Sequence, residues 1–126
     1  MKMQADRPEG SNAITRHGAE GVLVAGVEHR ESVIVPWRGS VQPWPVSDFE
    51  SLDETSFETI LALSPELVIF GSGSRLRFPR PTLLKALMAR RIGFETMDTP
   101  AACRTYNVLL AEGRAVVAAL LFERGG

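Results

Sequence analysis

Four consecutive apolar residues, Leu67-Val68-Ile69-Phe70, run directly into Gly71-Ser72-Gly73-Ser74. An apolar run without polar alternation reads as a central strand buried on both faces, so other elements must lie above and below it. The glycine turn continues into Arg75-Leu76-Arg77-Phe78-Pro79-Arg80, and Pro81 suits the first position of a helix. Leu83, Leu84, Leu87 and Met88 make that helix's apolar stripe, ending near Arg91, with basic residues at the end where they favour the helix dipole. Gly93 separates it from a short strand over 94–97. Strand, helix and strand at this spacing make a right-handed βαβ unit with parallel strands.

Upstream the pattern is different. Residues 1–12 are polar, carry Pro8, Gly10 and Ser11, show no period, and read as a disordered tail. A strand over 14–17, a turn at Gly18-Ala19-Glu20-Gly21, a strand over 22–24 and an apolar run over 32–35 follow. Glu28-His29-Arg30-Glu31 reads as the start of that last strand. These runs lie too close together for crossover helices, so they pair antiparallel. Pro36, Gly39, Pro43 and Pro45 make 36–52 irregular, with Trp37 and Trp44 plugging a core edge. Asp53 or Thr55 caps the next helix, and Thr55 with Glu58 fits the capping-box spacing. Phe57, Ile60 and Leu61 give that helix one apolar face, and Ser64-Pro65 stops it.

Downstream, Thr99 is the expected N-cap of a third helix, with Pro100 in its first turn. At about 100° per residue, Ala102, Tyr106, Leu109, Leu110 and Gly113 share a face. Arg104 and Asn107 lie on a flank, with Cys103 at the border. The run over 115–122 is apolar throughout and makes another central strand.

At 126 residues this is one domain, expected over 13–124, long enough to bury roughly two-thirds of its unfolded surface. No apolar run approaches the ~18 residues of a membrane span, and the first residues lead into no apolar signal region. A lone cysteine excludes an internal disulfide and a multi-cysteine metal site, so a reducing cytoplasm is the expected setting. The net charge of −1 conceals a split. Residues 1–70 carry five basic against eleven acidic side chains, and residues 71–107 carry seven basic against two.

Four chemistries compete for these residues. Gly71 and Gly73 can expose backbone N–H groups beside a helix N-terminus, and Arg75, Arg77 and Arg80 can complete an anion site. Leu76 stands where a dinucleotide fingerprint needs its third glycine, and no Gly-Lys-Ser/Thr is present, so a tight turn beside a packed helix is the preferred reading. Cys103 near Arg104 at a helix start can be a nucleophile, but no base or second thiol accompanies it, which favours a buried structural cysteine. The acids at 48–58 read as a solvated surface, and two histidines with one cysteine do not make a zinc site. The basic segment lacks interleaved aromatics, and the net charge is far from a nucleic-acid-binding footprint.

Phe70-Gly71-Ser72-Gly73, the stretch Asp98-Thr99-Pro100-Ala101-Ala102-Cys103-Arg104-Thr105-Tyr106-Asn107-Val108-Leu109 and Glu112-Gly113-Arg114 resemble a known family. It is the small domain shared by mitochondrial complex I assembly factor 3, the animal adipogenesis-associated domain protein, and many uncharacterised bacterial and archaeal proteins. The resemblance runs from about Ile14 to Phe122. It implies a three-layer α/β single domain: a central mixed β-sheet, helices packed on it, and an additional antiparallel β layer from the N-terminal part. It supplies no catalytic residues, and it implies action through protein contacts.

The expectation is therefore a non-enzymatic cytoplasmic interaction or assembly factor with a protein partner, no cofactor, no metal and no nucleic acid. The alternative is a small anion-binding protein or enzyme using the 71–80 loop and the 99–107 helix. Either way the candidate site is Gly71, Ser72, Gly73, Ser74, Arg75, Arg77, Arg80, Thr99, Arg104 and Asn107. The loop leaves the carboxyl end of a buried strand, where open α/β sheets place their crevices, and Arg104 and Asn107 are expected to face it across a groove.

Overall fold

Each apolar run needs cover on both faces, and the computed structural model, which describes residues 10–123, supplies it in three layers. β1 (Ile14–Gly18), β2 (Gly21–Val24) and β3 (Val27–His29) form a separate antiparallel sheet in the order β1-β2-β3. β4 (Val33–Pro36), β5 (Gln42–Pro43), β6 (Leu67–Gly71), β7 (Gly93–Met97) and β8 (Val116–Leu120) form the central sheet in the order β5-β4-β8-β6-β7. β6 is parallel to both β7 and β8, while β4 is antiparallel to β8 and β5. The sheet is therefore mixed, and the strands over 67–71, 93–97 and 116–120 lie side by side in it.

Period-two alternation sorts the strand side chains into two cores. Val33, Val35, Ile69, Val116, Ala118 and Leu120 face α3 (Thr99–Ala111) and the small sheet. Ile34, Val68, Phe70, Val117, Ala119 and Leu121 face α1 (Glu54–Leu61) and α2 (Lys85–Ala89). The second core is aromatic. The Phe70 ring lies 5.8 Å from Phe57 and 6.0 Å from Trp44, both edge-on, and 6.1 Å from Phe94. Trp44 is buried, and its indole N–H donates to Ser56 O at 2.8 Å, so it plugs the core as expected.

The N-terminal layer is fastened to α3 by polar side chains. Asn107 accepts the Ile14 N–H at 2.9 Å and donates to Ile14 O at 2.8 Å, a strand-like pairing made by a side chain. The Tyr106 hydroxyl, fully buried, lies 2.9 Å from Asn12 O and 3.0 Å from Pro36 O. Asn12 in turn donates through Nδ2 to Pro36 O and Gly39 O, both at 2.9 Å. Of the expected disordered tail, residues 1–9 lie outside the described residues, but Ser11 bridges Arg38 and Asn12 is buried, so the packed region starts before residue 13.

Several local expectations are corrected. The run over 28–35 is not one strand: β3 pairs with β2, and after the break at residues 30–32 β4 pairs with β8 in the other sheet. Residues 36–52 contain β5 and a 3-10 turn at Phe49–Ser51. Asp53, not Thr55, caps α1, and its box partner is Ser56 rather than Glu58. The Thr55 hydroxyl donates to Asp53 at 2.6 Å, and with the Thr55 and Ser56 N–H bonds it holds that carboxyl below its usual range. The helix at Pro81 begins as a 3-10 turn, Pro81–Leu84, and becomes α-helical only at α2. Asp98 caps α3, accepting the Ala101 N–H at 2.9 Å, because the Thr99 hydroxyl is engaged elsewhere.

Candidate functional site

β6 ends against the start of α3, and Gly71 permits that contact. A Cβ at Gly71 would stand 2.9 Å from Thr99 Oγ1 and 3.0 Å from Thr99 Cα. Thr99, itself buried, accepts the Gly73 N–H at 2.8 Å, donates its hydroxyl to Leu121 O at 3.1 Å, and sends its own N–H to Gly73 O at 2.8 Å. One side chain thus ties together the ends of β6, β8 and α3.

Ser72 and Arg77 set the shape of the following loop. Ser72 is fully buried, and its N–H donates to Met97 O at 2.8 Å. Its hydroxyl bonds Arg75 O at 2.7 Å and accepts the Arg77 N–H at 3.0 Å. The Arg77 guanidinium folds back beneath the loop, donating to Ser72 O through Nε at 3.2 Å and Nη2 at 2.6 Å. Nη2 also pairs with Glu123 Oε1 at 2.8 Å, and the guanidinium carbon lies 4.8 Å from the Phe49 ring centre. Gly73 is in the left-handed region with φ 100°, and a Cβ there would come within 2.7 Å of Arg77 Nη2.

Glu123 joins the two sides of this arrangement. Its Oε2 accepts the Phe49 N–H at 2.8 Å while Oε1 holds Arg77. Burial pushes this carboxyl up, but the Arg77 bond, the Phe49 N–H and the charges of Arg77 and Arg75 outweigh it and hold the group below its usual range.

The ten expected site residues separate into three groups. Gly71, Ser72, Gly73, Thr99 and Arg77 form the hydrogen-bonded base of the loop. Ser74, Arg75 and Arg80 are exposed on its outer side. Asn107 is committed to Ile14 of β1, and Arg104 is exposed on α3. Cys103 is fully buried, and burial pushes its thiol up to about 12 despite the charge of Arg104.

Leu76 and Phe78, outside the expected site, stand out in the structure. They are 51% and 69% exposed, between the exposed arginines. The available signal was the apolar–arginine alternation from Arg75 to Arg80 inside a segment with no helical or strand assignment. Two clefts of about 220 Å³ flank the loop. One, at its root, is lined by Gly73, Ser74, Thr99, Pro100, Phe122 and Glu123, with Gly18 and Ala19 opposite. The other lies between Phe78, Pro79 and Leu83 on one side and Phe49 and Leu52 on the other.

Residues 14–121 match a family described as protein of unknown function (DUF498/DUF598). The chain belongs to this family. It is 40% identical over 89 residues to NADH dehydrogenase [ubiquinone] 1 alpha subcomplex assembly factor 3 of Bos taurus, covering 69% of this chain and 48% of that protein. The chain thus spans about half the length of the curated assembly factors it matches. A crystal structure of a Bordetella parapertussis protein superposes with TM-score 0.85 at 35% identity, covering 92% of this chain and all of that one (100%). A Mth938-like domain from Bordetella pertussis, solved in solution, gives TM-score 0.83 at 29% identity, covering 98% and 93% of the two chains. Among the described residues no helix is long and apolar enough to cross a membrane.

Proposed function

We propose that this protein is a non-enzymatic docking factor of the cytoplasm that binds a protein partner through the outer side of the 71–80 loop, in the assembly of a larger complex. The observation that carries the reading is the exposure of Leu76 and Phe78 on a loop whose base is hydrogen-bonded throughout. Exposed large apolar side chains cost solvation, and a loop held in one shape loses little entropy when a partner covers it. The likeness to the bovine assembly factor supports the same direction, since that protein is named as an assembly factor of an NADH dehydrogenase subcomplex. The alternative, a small-anion site or enzyme made from the loop and α3, has less support. Glu123 already occupies Arg77 at the loop's root, and Asn107 is occupied by β1.

The test is affinity purification of the tagged chain from its own host, followed by mass spectrometry, beside a Leu76→Ser/Phe78→Ser variant of unchanged melting temperature. The variant is expected to lose at least one protein that the wild type retains stoichiometrically. An identical set of retained proteins overturns the reading. Retention of small anions by the wild type, lost in Arg75→Ala/Arg80→Ala, would favour the anion alternative instead.

A further inference from the structure

We infer that the partner element seated beside the loop is an acidic peptide segment carrying one bulky apolar anchor, and that the anchor fills the cleft between Phe78 and Phe49. This deepens the docking reading and rests on it.

The cleft is lined by the apolar Phe49, Leu52, Phe78, Pro79 and Leu83 together with the charged Glu50 and Arg80, and has a volume of about 220 Å³. That is below the ~300–1,000 Å³ typical of small-molecule and cofactor sites, and it suits a single side chain. Its Phe49 wall is fixed from behind. The Phe49 N–H is held by Glu123, and the Phe49 ring is covered by the Arg77 guanidinium. The Phe49–Ser51 turn is closed by the Asp48 cap. An anchor entering such a preformed notch removes apolar surface from water on both partners without ordering the loop.

The rim selects the charge of the peptide. From residue 71 to residue 92 the chain has six basic side chains and no acidic one. Arg80 lines the cleft and Arg75 is exposed earlier on the same loop, and neither forms an ion pair among the described residues. Lys85 is exposed on α2, the next element. Glu50 lies on the opposite rim, so a peptide is oriented with its carboxylates toward Arg75 and Arg80. Arginine's planar fork can take a carboxylate through two parallel bonds, which fixes register as well as charge. A concave notch of this size favours a peptide over a lipid surface or a nucleic acid, which would use the charge but leave the notch empty.

The experiment is selection of random peptides of about twelve residues, displayed on phage, against the wild-type chain. Phe78→Ser/Arg80→Glu serves as counter-selection, since both side chains are exposed and their replacement leaves the cores intact. The expected consensus has one Leu, Ile, Met, Phe or Trp flanked by at least two acids. A synthetic peptide of that consensus should bind about tenfold more weakly when its anchor is changed to Ala, and about tenfold more weakly to the double variant. A consensus without an apolar anchor, a basic consensus, or no enrichment overturns the inference. So does affinity for anionic vesicles or single-stranded DNA that the anchor peptide fails to compete. If the inference fails while Leu76→Ser/Phe78→Ser still loses its partner in the host, docking stands and only the partner's chemistry is wrong. If both fail, docking itself is wrong.

Discussion

Replacing Glu123 by Ala removes two hydrogen bonds at once, one from the Phe49 N–H and one from Arg77 Nη2, each 2.8 Å long. Hydrogen bonds to charged groups contribute about 1.5–3 kcal/mol each when well shielded. Here both partner groups are partly solvated, with side-chain exposures of 15% for Arg77 and 27% for Glu123, so the lower end must be discounted further. Arg77 also keeps its bonds to Ser72 O. The expected loss is about 2 kcal/mol, or roughly 6–10 °C in melting temperature for a domain of this size. The pH dependence has a definite sign. The folded Glu123 carboxyl sits below its ordinary value of 4.5, so the wild type's advantage is complete above that pH and falls as pH drops through the folded value. Urea unfolding of both proteins from about pH 7 to pH 3 should show a constant gap near neutrality that narrows in acid. A gap under about 0.5 kcal/mol at pH 7, or one undiminished in acid, refutes the idea that Glu123 clamps the loop base to the Phe49 turn.

Asn107→Ala should cost about 2 kcal/mol, since it leaves both the N–H and the C=O of Ile14 without their side-chain partner. Hydrogen exchange should accelerate at Ile14 before it does in β6, and equal protection of Ile14 in both proteins would contradict the fastening role. Cys103 should resist thiol reagents in the native state at pH 8 and react fully in denaturant, because its thiol is buried and pushed up to about 12. Rapid stoichiometric labelling of the folded protein would contradict this.

The parts of the fold that were legible in the sequence are those written in local patterns. Leu67-Val68-Ile69-Phe70 and the run over 115–122 are apolar at every position, and both lie inside the central sheet. Short spacing between the first apolar runs forced antiparallel pairing there, and β1 to β3 pair that way. The errors arose where a neighbour in space overrode a local signal. Thr99 has the residue type and position of an N-cap, but Leu121 O and the Gly73 N–H compete for its hydroxyl, so Asp98 takes the cap. Thr55 and Glu58 have the capping-box spacing, yet Asp53 lies two residues earlier with an oxygen that reaches both free N–H groups. Pattern also cannot show that the chain changes sheets between His29 and Val33, because both segments pair as β.

The loop shows why a site is harder to read than a strand. Arg75, Arg77 and Arg80 are the same residue type within six positions, and the sequence gives no reason to separate them. What separates them is Glu123, 46 residues away from Arg77, together with the Ser72 carbonyl that the turn aims at the same guanidinium. Arg77 thereby becomes an internal cation of the loop base, and Arg75 and Arg80 remain exposed outside it. The inward turn of Arg77 also decides what happens to its neighbours. With Arg77 drawn beneath the loop, Leu76 and Phe78 on either side of it in sequence stand exposed. The ion pair and the exposed apolar pair are therefore two consequences of one backbone path. Arg77→Ala should accordingly do more than remove a charge: it should release Phe78 to fall back toward the cleft, lowering its exposure and closing the notch. Tryptophan substituted at 78 reports this directly through its emission, red-shifted in the otherwise wild-type loop and blue-shifted when Arg77→Ala is added. An unchanged spectrum would mean that the loop holds its shape without Arg77.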